Sequence, residues 1–302
     1  MAAVISNQGG FYSTFAYVSE ARRSGLRIRP PDVNLSDIKW TGRSTGAAQQ
    51  SKTVSKPATG HGTLRVGLMA VKDLNEATAQ HIIEKRSGRP YADLHDFLVR
   101  AEPDEEDARA LILCGACDAL RPGTDRTVLL WELAAWKHHR RGRKARKKQT
   151  SAPMLFEEPS TPIRTDLPEL PPGTELERLR QEFTVLGFLC DRHPMVLYQK
   201  QLRKHRPIKA ESLSQHVGQR ITCAGWLITG KVVSTRKGEP MEFLTFEDET
   251  GTIETTFFPD AYRRHWDQLQ SHTPCVFHGL VEEDFGALTV TVERLEKLGP
   301  AN

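Results

Sequence analysis

The chain has 302 residues, of which 38% are hydrophobic and 26% are charged. This length predicts two or three domains, and the low apolar share predicts linkers between them. No uncharged window approaches 18 apolar residues, which excludes a transmembrane helix, and the N-terminus lacks the basic flank and apolar stretch of a signal peptide. Five cysteines scattered along the chain argue against a disulfide scaffold and for the reducing cytoplasm.

The formal net charge of +4 comes mainly from one segment. Residues 137–148, KHHRRGRKARKK, hold eight Lys/Arg and no acid, while the rest of the chain has 34 basic against 38 acidic residues. Positive charge is therefore local, and binding to nucleic acid has to be argued segment by segment.

The N-terminal half predicts helices joined by short turns. Residues 11–29 predict an amphipathic helix that stops near Gly25, and Pro30-Pro31 then forces extended chain. The stretch 42–62 is rich in Gly, Ser, Thr, Ala and Gln, and we interpret it as a flexible loop. Order resumes at Leu64 with a short strand and a turn, and the apolar spacing then predicts helices over 76–86, 91–99 and 126–139 and another that begins in the acids at 104–106.

The C-terminal half predicts a barrel. Residues 140–180 have the composition of a linker, first basic and then rich in Pro, Thr and Glu, and a helix is predicted at 174–186. From about residue 206 the hydrophobic period becomes two, with five strand-like runs and a helical stretch between the third and the fourth. This is the layout of an OB-fold barrel, so the predicted fold class is α+β multidomain, helical hairpins followed by a five-stranded OB-fold.

Candidate catalytic and metal sites are weak. Cys114 and Cys117 form a CxxC, but the other three cysteines are isolated, so two packed thiols at a helix end explain the pair better than a zinc or redox site. The acids Asp104, Glu105 and Glu106 stand where a helix begins and are best explained as helix capping. No Walker loop, G-x-S-x-G or H-E-x-x-H occurs, so no catalytic residue is predicted.

Two helical hairpins around 64–120 are candidates for contact with DNA. A turn that opens a helix N-terminus can offer backbone N–H groups to a phosphate, which positions a duplex without reading its sequence. The first turn, Lys72–Asn75, has no glycine and contains Asp73, which would repel a phosphate. A pure packing module is the alternative for this hairpin.

The basic run and the apolar tripeptide after it each leave two interpretations open. The run is either a solvated linker or a nonspecific contact with the DNA backbone, which would make binding steeply dependent on salt. Its candidate residues are Arg140, Arg141, Arg143, Lys144, Arg146, Lys147 and Lys148. The tripeptide Met154, Leu155 and Phe156 is either a docking peptide or a segment that folds back on the hairpins.

The barrel offers a possible surface for single strands. Bases could stack on Trp226, Phe243 or Phe257, with Lys231, Arg236 and Lys237 on the phosphates. Some of these aromatic residues must instead fill the barrel, and the strand register cannot be fixed from sequence. Residues 206–298 hold ten Lys/Arg against 14 Asp/Glu, which weakens the case for tight binding to single strands.

Together these segments resemble the C-terminal part of the bacterial DNA polymerase III alpha subunit, a family C polymerase, in its replicative or error-prone form. NQGGFYSTFAYVSEARRSGLRIRPPDVNLSD is similar to the end of that family's fingers region. LRVGLMAVKDLNEATAQHIIEKR and ALILCGACDAL resemble its tandem helix-hairpin-helix domain. LGFLCDRHPMVLY and AGWLITGKVVSTRKGEPMEFLTFEDETGTIETTFFPDAYRR resemble the entry to, and the body of, its OB domain.

The resemblance implies a division into five segments. They are a fingers-like region with a loop (1–62), tandem helix-hairpin-helix motifs (63–136), a linker with a possible clamp-binding peptide (137–173), connecting helices (174–205) and an OB-fold (206–298). In that family a PHP domain and a palm with catalytic aspartates precede this region. We therefore expect a fragment, a split-gene product or a truncated copy, which would contain no catalytic residue or metal ligand. The Mg²⁺ of the reaction would belong to the palm, so no cofactor is implied here.

The family's contacts can be carried over residue by residue. Its duplex-binding hairpins correspond to Gly67–Asn75 and Cys114–Asp118, so that Gly67, Lys72, Asn75 and Gly115 become candidates for DNA contact. Its sliding-clamp peptide corresponds to Ala152–Phe156, although Ala152 stands where that family has glutamine.

The resemblance implies a noncatalytic segment whose partners are duplex and single-stranded DNA, with the sliding clamp and an upstream polymerase polypeptide as possible partners and no membrane. With the upstream polypeptide it would support DNA synthesis. The alternative is a standalone OB-fold and helix-hairpin-helix protein that acts mainly through protein–protein interaction, which the acidic barrel favours somewhat.

Overall fold

The structure, a computed structural model, describes residues 1–7, 12–44, 62–149, 173–269 and 274–300, with only the backbone over 141–149. Its α-helices are α1 (Ala2–Ser6), α2 (Thr14–Arg23), α3 (Glu76–Ser87), α4 (Leu94–Ala101), α5 (Glu105–Leu113), α6 (Arg126–Gln149), α7 (Glu175–Leu186), α8 (Gln199–Leu202) and α9 (Pro259–His265). Its strands are β1 (Arg27–Arg29), β2 (Thr41–Ser44), β3 (Gly62–Arg65), β4 (Arg220–Ser234), β5 (Pro240–Glu247), β6 (Thr252–Phe257), β7 (Pro274–Asp284) and β8 (Ala287–Lys297). Short 3-10 helices lie at Leu68–Ala70, Asp118–Leu120, Pro194–Tyr198 and Ala210–His216.

The chain divides into two compact units. The first comprises Met1–Gln8 and Gly25–Cys190, and the second comprises Gly9–Ser24 and Asp191–Asn302. The units cut across two of the segments expected from sequence, 1–62 and 174–205. The segment 1–62 is divided because α2 packs on the barrel and belongs to the second unit, whereas the residues that follow it belong to the first.

The first unit is a set of capped helices with a small sheet. The side chains of Asn75, Asp93, Asp104 and Thr174 each accept a hydrogen bond from a backbone N–H in the first turn of α3, α4, α5 and α7. Each cap satisfies a donor that the start of a helix leaves unpaired. The helical starts that the sequence predicts in this region therefore lie within a few residues of the observed ones.

The sheet of the first unit has the strand order β1-β3-β2. Strand β1 runs parallel to β3, and β2 runs antiparallel to it. The expectation of a loop over 42–62 is wrong at both ends, because β2 and β3 pair there, while residues 45–61 lie outside the described part.

Helix α6 extends beyond its predicted end at residue 139 and continues to Gln149. The segment assigned to a basic linker is therefore helical in its backbone up to that residue. Lys, Arg and Ala are good helix formers, and the single Gly142 is not enough to end the helix. Within the described ranges, no helix combines the length and apolar character needed to cross a membrane.

The second unit contains a closed five-stranded barrel with the strand order β4-β5-β6-β8-β7. Helix α9 lies between the third and fourth strands in sequence, as predicted. The rings of Phe246 and Phe277 meet in the interior at 4.7 Å between centroids, and Phe257 is fully buried in the same core. Strands β7 and β8 approach closely at Gly279, where a Cβ atom would lie 2.2 Å from the Thr291 carbonyl oxygen.

Candidate nucleic-acid interface

The first helical hairpin uses its backbone amides within the protein. The N–H of Lys72 donates to the Val185 carbonyl oxygen at 3.1 Å, and the N–H of Ala77 donates to the side chain of Asn75 at 2.9 Å. Asp73 has φ of +60°, a conformation that favours glycine, so it takes the position that glycine has in phosphate-binding turns. These contacts leave few free donors for a phosphate.

A carboxylate also lies at the start of α3. Asp107, 3% exposed, accepts the N–H of Asn75 at 3.0 Å through Oδ1 and the hydroxyl of Thr78 at 2.5 Å through Oδ2. This anion supplies the negative charge that a helix N-terminus stabilises. The geometry thus favours the packing module for the first hairpin, and of its candidate residues Asn75 acts as the helix cap.

Two glycines proposed for DNA contact are buried instead. A Cβ atom on Gly67 would lie 2.4 Å from the carbonyl oxygen of Ile38, so this glycine permits close packing of two backbone segments. Gly115 has φ of +86° and lies beneath the guanidinium of Arg126. Burial argues against direct DNA contact by either glycine. Lys72 is exposed, and Asn75 is exposed but uses its side chain as the helix cap.

The second hairpin is organised by a buried arginine. Arg126, 5% exposed, donates from Nη1 to the Leu113 carbonyl oxygen at 2.8 Å and from Nη2 to Asp118 at 2.9 Å. Beside it, Cys114 and Cys117 are fully buried, and burial raises the pKa of the Cys114 thiol to about 12. A buried thiol that stays protonated is a poor nucleophile, which agrees with packed thiols. No cluster of metal-ligating side chains occurs in the part of the chain that the structure describes.

The basic run begins with two residues that are already paired. Lys137 forms an ion pair with Glu105, and Arg140 forms one with Glu102 at 3.1 Å while lying over the Trp136 ring at 5.0 Å. The side chains of residues 141–148 are not described, so their proposed DNA contacts stay predictions. The tripeptide 154–156 lies outside the described residues, and the clamp-binding hypothesis is equally untested.

Two of the three aromatic residues proposed for base stacking are buried. Phe257 fills the barrel core, and Trp226 is 5% exposed. The Trp226 ring lies on the outer side of the barrel, against Phe15 at 5.5 Å and Tyr198 at 5.9 Å between centroids. In this structure neither ring is accessible to a base, because the Phe257 side chain faces inward and a helix covers Trp226.

The covering helix is α2, and a buried polar network fixes it to β5. Glu247, which is fully buried, accepts from Nη1 of Arg23 at 2.8 Å, from Nε2 of His193 at 3.1 Å and from the hydroxyl of Ser19. His193 Nδ1 accepts the N–H of Met195 at 3.2 Å, which assigns the ring proton to Nε2.

The network also sets the ionisation of its central carboxylate. Burial alone would raise the pKa of Glu247, but the hydrogen bonds from His193, Ser19 and Arg23 hold it below the ordinary value. Glu247 is therefore a carboxylate at neutral pH, and its bonds with Arg23 and Ser19 hold α2 over the end of the barrel face that carries Trp226.

The other end of the same face is open. Lys231 on β4 lies directly opposite Phe243 on β5, and both side chains are exposed, Phe243 to 45%. Beyond them the exposed Arg236 and Lys237 form the β4–β5 turn, which ends at Gly238 with φ of +79°. The structure thus keeps four of the six barrel residues proposed from sequence on one exposed surface, which we call the open face: Lys231, Arg236, Lys237 and Phe243.

A further exposed aromatic residue was missed. Phe285 is fully exposed at the tip of the two-residue turn between β7 and β8, with φ of +49°. A bulky side chain is rare at positive φ, and in an OB-fold the loop between the last two strands borders the ligand-binding face. The turn Asp284-Phe285-Gly286 is recognisable in the sequence, and an aromatic residue within it is the signal that could have identified this site.

The described geometry agrees with two protein-family models. The model for the helix-hairpin-helix motif matches residues 25–129, and the model for the OB-fold nucleic acid binding domain matches residues 226–298. An error-prone DNA polymerase of Symbiobacterium thermophilum is 29% identical over 98% of this chain. The chain is a homologue of the family C DNA polymerases.

Two further relatives support this assignment. The DNA polymerase III alpha subunit of Bacillus subtilis is 28% identical over 82% of the chain, and an error-prone DNA polymerase of Alkalilimnicola ehrlichii is 31% identical over 81%. The chain spans 29%, 20% and 21% of the length of these three polymerases. The two domain types that the resemblance implied, and their order, are confirmed.

Proposed function

We propose that this chain is a DNA-binding, noncatalytic segment of a DNA polymerase III alpha-type polymerase, and that its barrel holds single-stranded DNA on the open face. The observation that carries the proposal is the cross-strand pair of an exposed aromatic ring, Phe243, with an exposed cation, Lys231. Single strands bind to surfaces that combine stacking rings with charges along the backbone path.

The surroundings of this pair support the same function. Arg236 and Lys237 extend the positive charge along the β4–β5 turn, and Phe285 adds a second exposed ring on a loop that borders the face in OB-folds. Since α2 covers the end near Trp226, a strand would be confined to the remaining end. A short contact of this kind predicts modest affinity and little sequence preference.

The noncatalytic role is the part of the proposal that primer extension tests. Two-metal phosphoryl transfer needs carboxylates that hold the ions together. The proposal assigns these carboxylates to a palm-bearing polypeptide, so primer extension by the purified chain with Mg²⁺ and four nucleotides should stay at background.

The alternative is a module that acts through protein–protein interaction, and the acidic balance of residues 206–298 favours it. Anisotropy titration of labelled oligo-thymidine at two salt concentrations separates the two functions. We expect binding that weakens with salt, and a slope of log affinity against log salt that falls by about 0.7 for each of Lys231→Gln, Arg236→Gln and Lys237→Gln.

A matched control uses Arg220→Gln, which removes the charge of another exposed barrel residue that is paired with Glu293. This variant should leave the slope unchanged. Absence of binding at low salt, or equal slopes for the three open-face variants and the control, would favour the protein-interaction module.

A further inference from the structure

The small sheet of the first unit has two chemically opposite faces. Ile28 and Leu64, 5% and 4% exposed, lie on one face and pack in the core. Because side chains alternate along a strand, the residues on either side of them lie on the other face. That face is formed by Arg27 and Arg29 of β1, Thr63 and Arg65 of β3, and Thr41 and Arg43 of β2.

The register places four arginines in two adjacent rows. One row is Arg27, Thr63 and Arg43, and the next is Arg29, Arg65 and Thr41. The rows are about 7 Å apart along the strands, and β1 and β2 lie about 10 Å apart across β3. Four guanidinium groups therefore share a surface about the size of two to three nucleotides. We call it the arginine face.

These charges have no acidic partner in the described part of the chain. None of the four arginines forms an ion pair there; Arg65 donates from Nη1 to the Pro30 carbonyl oxygen at 2.9 Å. Arg27, Arg29 and Arg43 are exposed, whereas Arg65 is half-buried. Partial burial lowers the pKa of Arg65, and the nearby positive charges of Arg29 and Arg43 lower it further, against the opposing effect of Asp32. Like charges therefore lie close together on this sheet, and Asp32 offsets part of their repulsion at Arg65.

A surface of this kind fits the phosphodiester backbone of duplex DNA. Guanidinium groups form paired hydrogen bonds with phosphate oxygens, and the hydroxyls of Thr41 and Thr63 between them can donate to the same oxygens. No aromatic residue occurs among the six positions of the face, so it lacks the stacking platform on which single strands bind. Contact through charge alone is typical of duplex binding without sequence preference.

We propose that the arginine face of the β1-β3-β2 sheet is a second DNA site, separate from the open face of the barrel, which binds the backbone of duplex DNA. The two hairpins of the same unit use their amides and glycines for packing, so the sheet supplies the cations that a duplex needs. This site does not depend on the barrel site, and either can exist without the other.

The test is a titration of the full chain with a labelled duplex and, in parallel, with a labelled single strand, over a range of salt concentrations. The variant is Arg27→Gln/Arg29→Gln/Arg43→Gln, which keeps Arg65 because of its hydrogen bond to Pro30. We expect the salt slope on duplex to fall by about 2.7, three contacts at about 0.9 each, and affinity to fall roughly tenfold or more at 0.1 M salt. Single-strand binding should change less than twofold.

The matched control is Lys85→Gln/Arg109→Gln/Arg178→Gln, three exposed cations of the same unit outside the sheet. It makes the same change in net charge and should keep the parent slope. The thermal midpoint of the arginine-face variant should equal or exceed that of the parent, because repulsion between like charges is removed. Equal duplex slopes for variant and control would overturn the proposal. Retention of parental duplex binding by the variant would overturn the proposal whether or not single-strand binding changes. Equal loss of duplex and single-strand binding would contradict the assignment of this face to duplex DNA.

Discussion

Replacing Glu247 with glutamine should weaken the hydrogen bonds that attach α2 to the barrel. In the parent, one fully buried carboxylate accepts hydrogen bonds from Arg23 at 2.8 Å, from His193 at 3.1 Å and from Ser19. Bonds to a charged acceptor are worth about 1.5–3 kcal/mol each, and a partner left without its counter-ion adds a desolvation cost. Glutamine retains one acceptor oxygen, so part of the network survives. We expect the free energy of unfolding of the second unit to fall by about 2–4 kcal/mol.

Urea denaturation monitored by circular dichroism and tryptophan fluorescence measures this loss, since Trp226 lies against Phe15 of α2. With a typical slope of about 1–3 kcal/mol per molar urea, the midpoint should fall by roughly 1–2 M. Glu249→Gln is the control, because Glu249 is 44% exposed in its ion pair with Lys209 and should cost about 0.5 kcal/mol or less.

The effect of Glu247→Gln should also depend on pH. The pKa of Glu247 is lower in the folded protein than its ordinary value, so its stabilisation is complete above the unfolded pKa of about 4.3 and is lost as pH falls through the folded pKa. The difference in unfolding free energy between parent and variant should therefore be constant near neutral pH and shrink in acid. A variant as stable as the parent at pH 7, or a difference that grows in acid, would refute this account of the network.

Two further predictions concern the first unit, and a third concerns the cysteines of both units. Gly115→Ala should lower the free energy of unfolding by about 2 kcal/mol or more, because φ is +86° and the new Cβ would lie 2.3 Å from Nη2 of Arg126. The control Gly123→Ala has a similar φ of +76° but no atom within 4 Å, so it should cost only about 1 kcal/mol. Thermal unfolding of the two variants measures the difference. Asp107→Ala should cost about 1–2 kcal/mol by removing the acceptor of two part-buried hydrogen bonds, from Asn75 and Thr78, against little change for the exposed Glu106→Ala. A thiol reagent should modify none of the five cysteines in the native protein and all of them in urea, because every one is buried.

Each of these predictions has a distinct contradicting result. Equal melting temperatures for Gly115→Ala and Gly123→Ala would show that the Arg126 side chain can move away from the new Cβ without loss of stability. An Asp107→Ala variant with parental stability would show that water replaces the carboxylate. Rapid labelling of a thiol in the native protein would show that the hairpin or the barrel opens readily.

The five strands of the barrel could be predicted because the alternation of apolar residues is a local pattern. Which residues are exposed on the outside of the barrel could not be predicted in the same way. Alternation along each strand gives the five strands and the position of α9. Strand β4, however, has an irregular register between Leu227 and Thr229, so Trp226 and Lys231 lie on the same outer face although one position is even and the other odd. Strict alternation would place the two residues on opposite faces, and no local pattern shows that α2 buries Trp226.

Contacts between distant residues account for the other errors. Arg23 and Glu247 are 224 positions apart, and nothing near either residue shows that α2 covers the barrel. The arginine face likewise depends on strands at 27–29, 41–44 and 62–65, whose pairing a loop interpretation of 42–62 had excluded. The order of the two domains, helix-hairpin-helix and then OB-fold, could be predicted because each domain is indicated by motifs a few tens of residues long.

The central claim is that the open face of the barrel binds single-stranded DNA, and the most direct measurement compares two phenylalanines. Phe243 and Phe258 are exposed to nearly the same degree, 45% and 48%, but only Phe243 lies beside Lys231. The dissociation constant of the full chain for labelled oligo-thymidine should rise about 5- to 150-fold in Phe243→Ala, the loss of one stacked base, and stay within about twofold of the parent in Phe258→Ala. Equal affinities for the two variants would contradict the claim.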